Sequence, residues 1–215
     1  MNRFFLFLLI SFFFSCEKQS YQIGDIFFQD LDCGPPCQAI EAVTSGYQGA
    51  QLSHCAIITS IGTSNYDTIL TEAIGETVTQ TTLHDFLNRS NKVFVGRLKD
   101  EYQYMIPDAI TYIQTDLSGK PYDYIFDIND DTYYCSEIIY EGLKKADNTK
   151  ELFSLKPMTF NEPGTDIPFV HWVDYYEDLG HPIPEGELGL NPGGMSRSDA
   201  IEIIHVYAKK TGMYV

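Results

Sequence analysis

The chain has 215 residues, of which 44% are hydrophobic and 14% aromatic, and its formal net charge is −16 at neutral pH. This length is typical of one domain, and this composition excludes an intrinsically disordered chain. A surface so acidic repels phosphate backbones and anionic lipid headgroups, which argues against nucleic-acid binding and against membrane attachment through a basic face.

An apolar segment at the N-terminus predicts export. Arg3 precedes an apolar run at residues 4–14, which is too short for a transmembrane helix of about 20 residues. The run leads through a small residue to Cys16, and this resembles a bacterial lipobox, although two phenylalanines stand where leucine and a small residue are usual. We expect residues 1–15 to be a lipoprotein signal peptide and residues 16–21 an anchor and short linker. In the alternative, an ordinary signal peptide is cleaved and Cys16 is incidental.

Lipidation of Cys16 would decide where the protein resides. A diacyl anchor provides the two chains that stable membrane binding requires. We therefore expect a membrane-anchored lipoprotein of the cell envelope, on the periplasmic side or at the cell surface. Residues 22–215 remain as a single domain.

Four further cysteines constrain the chemistry. Cys33 and Cys37 flank a Gly-Pro-Pro turn that could bring them together as a disulfide bond in an exported protein. Half a zinc site is the weaker alternative, because no second Cys or His pair follows at ligand spacing. We therefore expect no metal and no cofactor. Cys55 and Cys135 have no obvious covalent role, and an unpaired thiol in an exported protein requires an explanation.

Hydrophobic periodicity and turn residues divide the domain into elements. The segment at 153–191 is rich in Pro, Gly and aromatic residues and is expected to form mostly ordered loops. Because helices and antiparallel strands do not alternate strictly, the predicted fold class is α+β. In chain order the pattern predicts a strand at 22–28, a helix at 38–47, two strands of a hairpin at 53–61 and 67–74, a helix starting at Thr82, a strand at 92–98, helices at 101–117 and 133–145, and a closing strand at 201–208.

Cys135 lies where the last of these helices begins. The preceding segment, 127–132, is acidic and turn-forming, and Ile138, Ile139 and Leu143 follow at helical spacing. The unpaired N–H groups and the dipole of a helix N-terminus favour a thiolate, and the same N–H groups can stabilise an oxyanion. The alternative is a buried structural cysteine, since free Cys is among the most buried residue types.

The predicted hairpin places a histidine beside a carboxylate. If the turn is centred near Thr63, residues whose numbers sum to 126 lie opposite each other, so His54 faces Glu72 on the same side of the sheet. A carboxylate in that position selects the tautomer of the imidazole and stabilises the imidazolium, as a general base requires. Cys55 would point to the opposite face and is most simply a core residue. A register error of one residue would break the pairing of His54 with Glu72.

Five short motifs, taken in order, resemble the circularly permuted papain-like amidases of the NlpC superfamily, the YiiX- and YebB-like group. In the permuted members the cysteine helix follows the histidine strand, as it does here. The resemblance covers residues 22–143, and more loosely 192–198 and the final strand. The motifs are GDI at 24–26, SHCAII at 53–58, EA at 72–73, PYD at 121–123 and YYCSEI at 133–138.

The resemblance implies the roles of individual residues. Cys135 would be the nucleophile, His54 the base and Glu72 the group that orients the histidine, while Tyr122 would line the cleft. The implied fold is an antiparallel barrel-like sheet packed on helices, with the cleft between them. The Cys-Gly-Pro-Pro-Cys insertion departs from the family pattern and is expected to reshape one wall of the cleft.

The expected function is hydrolysis of an amide bond through an acyl-enzyme, on a cell-wall peptide or an N-acyl amino acid. Ser53 and Tyr134, which adjoin the proposed base and nucleophile, are expected to contact this peptide or acyl-amide substrate. Two alternatives remain: a lipid thioesterase or acyltransferase that uses the same site, and a lipoprotein that binds without catalysis.

Overall fold

The computed structural model describes residues 21–31 and 33–208. The predicted signal peptide and Cys16 lie outside the described residues. The strands are β1 (Ile26–Gln29), β2 (His54–Ser60), β3 (Ile69–Ile74), β4 (Thr77–Thr82), β5 (Lys92–Leu98), β6 (Lys156–Pro157), β7 (Leu188–Gly189) and β8 (Ile201–Ala208). The α-helices are α1 (Pro35–Val43), α2 (Leu83–Asn88), α3 (Ile106–Tyr112), α4 (Cys135–Ala146), α5 (Val170–Leu179) and α6 (Pro192–Ser196).

A six-stranded antiparallel sheet in the order β4-β3-β2-β1-β5-β8 forms the centre of the fold. Alternate residues of β1 and β2 enter two different apolar clusters, because successive strand side chains point to opposite faces. Phe28 and Ile57 pack with α3 and α4 on one face. Phe27 and Ala56 pack with α2 on the other. The α+β class with an antiparallel sheet against helices is therefore confirmed.

Helix α4 packs directly on α3 and carries the N-terminal cysteine of the site. Its apolar residues Ile138, Ile139 and Leu143 are buried against the sheet and α3. The helices approach closely at Gly142, where an added Cβ would lie 2.7 Å from Cδ1 of Ile113. This packing holds the first turn of α4 in place at the sheet.

The segment 153–191, expected to be mostly loops, contains a helix. In α5, Trp172 and Tyr176 lie one turn apart and are buried with Phe160, which gives this helix an apolar face of its own. The sequence did not predict this helix, because aromatic residues, Pro and Gly occur throughout the segment. The expectation of loops is wrong for this part.

Three other boundaries differ from expectation. Strand β4 was not predicted, because its sequence TVTQTT is polar, yet it pairs with all of β3. Helix α1 begins at Pro35, three residues before the predicted start, since proline suits the first turn of a helix. The predicted helix at 101–117 is divided into a 3₁₀ segment, α3 and a π-helical turn at Ile113–Leu117, and Pro107 lies in the first turn of α3.

Cys33 and Cys37 are joined by a disulfide bond, with their Cα atoms 5.4 Å apart. The bond ties the first turn of α1 to the chain that precedes it. Helix α1 also packs on α5, where Ala39 joins the apolar cluster of Trp172 and Tyr176. Among the described residues, no helix is both long and apolar enough to cross a bilayer.

Candidate active site

The register of β2 and β3 differs from the predicted one by two residues. Ile57 pairs with Thr71, a sum of 128 rather than 126, and extending that register by one residue places Glu72 across from Ala56. The direct pairing of His54 with Glu72 is therefore wrong. Because an error of two residues preserves the face, the two side chains still meet diagonally. His54 Nε2 lies 2.6 Å from Oε2 of Glu72.

Glu72 is fully buried and is held by two groups besides His54, through three hydrogen bonds. The Arg89 guanidinium donates to both carboxylate oxygens, at 2.7 and 2.9 Å, and the Thr81 hydroxyl donates to Oε1. Burial alone would raise the pKa of Glu72, but the hydrogen bond and charge of His54, together with Arg89, lower the pKa to about 2. Glu72 is therefore a carboxylate at neutral pH.

Sequence reasoning missed Arg89 and Thr81. Thr81 lies on the unpredicted strand β4, and Arg89 caps the C-terminus of α2. Helix α2 begins as expected, because the Thr82 hydroxyl accepts a hydrogen bond from the Asp85 N–H at 3.1 Å. A lone arginine beyond a short helix carries no signal that it turns back to a carboxylate on β3.

Cys135 is the first residue of α4, as the sequence predicts, and its side chain is 7% exposed. The N–H groups at the start of the helix have no acceptor within the helix. Hydrogen bonding from Cys55 is the largest influence that lowers the pKa of the Cys135 thiol, followed by the hydrogen bond and positive charge of His54, and together they outweigh the opposing effect of burial.

His54 is 4% exposed and lies between the other two groups. Burial would lower the pKa of its ring, but hydrogen bonds to Cys135 and to Glu72 raise the pKa to about 9. Since Nε2 is bonded to Glu72, Nδ1 is the nitrogen that remains for the thiol. The structure therefore brings Cys135, His54 and Glu72 together and favours a thiolate beside an imidazolium.

Cys55 contributes more than the core packing expected of it. Its side chain is fully buried in the same apolar cluster as Cys135. Burial raises the pKa of the Cys55 thiol first, and the hydrogen bond to Cys135 raises it further. Cys55 therefore keeps its proton, and hydrogen bonding from its thiol and its backbone is among the influences that lower the pKa of the Cys135 thiol. Alternation along the strand indicated the face but not this contact.

A cavity of about 310 Å³ opens beside Cys135. Ser53, Tyr122 and Tyr134, the residues expected to contact substrate, all line it. The walls come from α1, α5 and the chain around β6 and α6; α1 contributes Ile40 and Val43, whereas none of residues 33–37 is part of the lining. The apolar part of the lining consists mainly of Ile40, Val43, Phe126, Met158, Phe160 and Trp172.

Two buried acids lie close to the first turn of α4. Burial raises the pKa of Asp123 to about 6 and that of Glu137 to about 9. Glu137 folds back so that its Oε2 accepts a hydrogen bond from the Tyr134 N–H at 3.2 Å, while Asp123 accepts from two N–H groups in the following turn. Within the described ranges, no group of three or more His, Cys, Asp or Glu side chains could hold a metal ion.

Comparisons with known proteins identify the family and the fold. The model of a family described as permuted papain-like amidase enzymes, YaeF/YiiX, C92 family, matches residues 20–205. The crystal structure of the metalloprotein YiiX from Escherichia coli O157:H7 is similar in fold, with a TM-score of 0.63 and 22% sequence identity over 88% of this chain and 97% of that one. A comparison with curated proteins finds no match.

Proposed function

The chain belongs to the C92 family of permuted papain-like amidases, which are cysteine hydrolases, and we propose that it cleaves an amide bond with Cys135 as nucleophile, His54 as general base and Glu72 as the group that orients the histidine. One observation carries the assignment: a buried imidazole is bonded through Nε2 to a buried carboxylate, and its other nitrogen is left for a thiol at a helix N-terminus. Acyl transfer by a thiol requires a nucleophile, a base beside it and a group that orients the base.

The reaction follows from these positions. The Cys135 thiolate attacks the amide carbonyl carbon, a C–S bond forms, and the N–H groups at the start of α4 stabilise the oxyanion. His54 gives its Nδ1 proton to the amide nitrogen, the C–N bond breaks and the amine leaves. Water then gives a proton to His54 and attacks the thioester, which releases a carboxylic acid and the Cys135 sulfur.

Glu72 acts through His54 rather than on the substrate. As a carboxylate it accepts a hydrogen bond from Nε2–H, which keeps Nδ1 directed at Cys135 in both halves of the reaction. Arg89 and Thr81 hold the carboxylate from its other side, so it does not need to move when the charge of His54 changes. A preorganised site of this kind avoids reorganisation during the reaction.

The substrate we propose is an amide in a cell-wall peptide or an N-acyl amino acid, bound along Ser53, Tyr122 and Tyr134. The proposed location is the cell envelope, with the protein anchored through lipid on Cys16 after removal of residues 1–15. The sequence pattern of the leader supports this location. Mass spectrometry of the N-terminal peptide from membranes tests it, because a diacylated Cys16 is expected and an unmodified mature N-terminus would contradict it.

The catalytic assignment is tested with Cys135→Ala. We expect the variant to fold as wild type by circular dichroism and to lose turnover of N-acyl amino acids and cell-wall peptides. Iodoacetamide should label Cys135 of the wild type faster than a free model thiol near neutral pH. Full activity of Cys135→Ala would overturn the assignment, and slow labelling together with no turnover would favour a binding protein.

The apolar lining of the cavity favours one second candidate, a thioesterase or acyltransferase that handles lipid acyl chains at the same site. Both reactions pass through the same acyl-enzyme, so the leaving group distinguishes them. Release of a new amine from an amide supports the first proposal. Release of a thiol from an acyl thioester, with amides left intact, supports the second.

A further inference from the structure

Two cations line the active-site cavity in a protein that is otherwise strongly acidic. Lys156 and Arg197 are both part of the lining, and no Asp or Glu side chain is. Within residues 21–31 and 33–208, neither the Lys156 ammonium nor the Arg197 guanidinium has a hydrogen-bonding or ion-pairing partner. Against a net charge of −16, the charged side chains that line this cavity are both positive, so they can attract an anion.

The backbone that carries the two cations is held in place on both sides. Lys156 lies on β6, which pairs with β7 through Gly189. Arg197 follows α6, where the Asn191 side chain accepts a hydrogen bond from the Gly194 N–H at 2.7 Å. Both cations also line a neighbouring cavity of about 540 Å³, whose lining includes Glu151 and Asp199, so they lie where the two cavities adjoin.

Another part of the lining is apolar. It comprises Ile40 and Val43 from α1, Trp172 from α5, and Phe126, Met158 and Phe160. An aliphatic chain in such a pocket is stabilised in proportion to the apolar surface that it removes from water. Cys135 belongs to the same lining, so a substrate can place its scissile bond at the sulfur, an apolar group on the aromatic wall and an anion at the cations.

We propose that the substrate is an N-acyl amino acid whose acyl chain lies on the apolar wall and whose free carboxylate lies between Lys156 and Arg197. This inference rests on the proposed amidase function and narrows its substrate class. A guanidinium can bind a carboxylate through two parallel hydrogen bonds, and an ammonium adds a point charge. In the reaction the acyl group stays on Cys135 as the thioester, and the amino acid leaves with the proton from His54.

The experiment separates anion binding from turnover. Binding is measured by calorimetry on Cys135→Ala, with N-dodecanoylglycine and N-dodecanoylglycinamide below their critical micelle concentrations. The two ligands differ in the carboxylate alone. We expect the acid to bind about tenfold more tightly than the amide, which corresponds to one charge-assisted contact of about 1.4 kcal/mol. N-acetylglycine, which lacks the chain, should bind more weakly than N-dodecanoylglycine.

Lys156→Gln and Arg197→Gln, each added to Cys135→Ala, should reduce the preference for the acid, and both together should abolish it. Lys99→Gln is the matched control, because it removes one exposed positive charge that lies outside the lining of the cavity. Equal binding of acid and amide, or a preference that survives the double substitution, overturns the inference.

Turnover by the wild type then tests the proposed function separately. Cleavage of both ligands at equal kcat/KM would leave the amidase assignment in place and overturn the carboxylate site. Binding that prefers the acid, with cleavage of neither ligand, would overturn the amidase assignment and leave the carboxylate site in place. Release of glycine from N-dodecanoylglycine, with weaker cleavage of the glycinamide, supports both.

Discussion

His54 Nε2 and the Glu72 carboxylate lie 2.6 Å apart, both buried, on two strands of the central sheet. This contact leaves Nδ1 as the nitrogen that can exchange a proton with Cys135. It also joins the imidazole to the carboxylate that Arg89 holds from its other side. The orientation and the charge of His54 therefore both depend on Glu72.

Replacing Glu72 tests that dependence. We expect Glu72→Gln to lower kcat by about 10²-fold or more, because the amide neither stabilises an imidazolium nor selects the productive tautomer. Steady-state kinetics on an N-acyl amino acid measure the effect. Glu76→Gln is the control, since Glu76 is an exposed acid on the turn beside β4 and its loss should leave kcat unchanged. A Glu72→Gln enzyme with wild-type kcat would show that the contact has no catalytic role.

The pH profile of kcat/KM should be bell-shaped, with a broad plateau around neutrality. The lowered pKa of Cys135 means that thiolate is already formed well below the ordinary thiol range, which places the acidic limb at low pH. The pKa of His54 is raised to about 9, so imidazolium is lost as the pH rises through that value, and the rate should fall there. The two limbs belong to the pair as a unit. A basic limb near 6.5, the ordinary range of histidine, would contradict the ion pair.

Cys55 should lower the pKa of Cys135, since its hydrogen bond is the largest influence in that direction. We expect Cys55→Ala to shift the pH dependence of Cys135 alkylation to higher pH, because the thiolate loses a donor. Cys55→Ser is the matched control, since its hydroxyl can donate from the same position and should keep the profile close to wild type. Iodoacetamide rates across pH, with peptide mapping of residue 135, give the measurement. Equal profiles for the Ala and Ser variants would exclude the hydrogen bond as the cause.

Glu137 should make the protein less stable as the pH rises. Burial raises its pKa in the folded state from 4.5 to about 9, so between these values the folded state holds more protons than the unfolded state. The free energy of unfolding then falls with increasing pH across that interval. Glu137→Gln keeps an oxygen for the Tyr134 N–H and removes the titration, so it should stabilise the protein at pH 8 by on the order of 1–3 kcal/mol.

Urea denaturation at several pH values measures this effect. The gain from Glu137→Gln should vanish near pH 4, where the carboxyl is protonated in both states, and should be largest on the alkaline side. A gain that does not change with pH would mean that packing, rather than ionisation, causes it. A loss of stability that grows as the pH rises would mean that the carboxyl is charged and paired in the folded protein.

Much of the candidate site could be predicted from local sequence. The acidic turn and the apolar spacing after it placed Cys135 at a helix start, because helix boundaries depend on neighbouring residues. His54 and Glu72 were assigned to one face because side chains alternate along a strand with a period of two. The assignment of both residues to one face remained correct although the assumed turn centre was wrong, because the true register differs from the predicted one by an even number of residues.

The features of the site that only the tertiary structure revealed depend on contacts between distant segments of the chain. The register of β2 and β3 is set by the long connection and the irregularity after Ile58, which the periodicity of either strand does not encode. The return of Arg89 to Glu72 and the approach of Cys55 to Cys135 arise from how α2 and α4 pack on opposite faces of the sheet. Periodicity assigns a residue to a face, whereas the partner it meets there is decided by the packing of elements far apart in the chain.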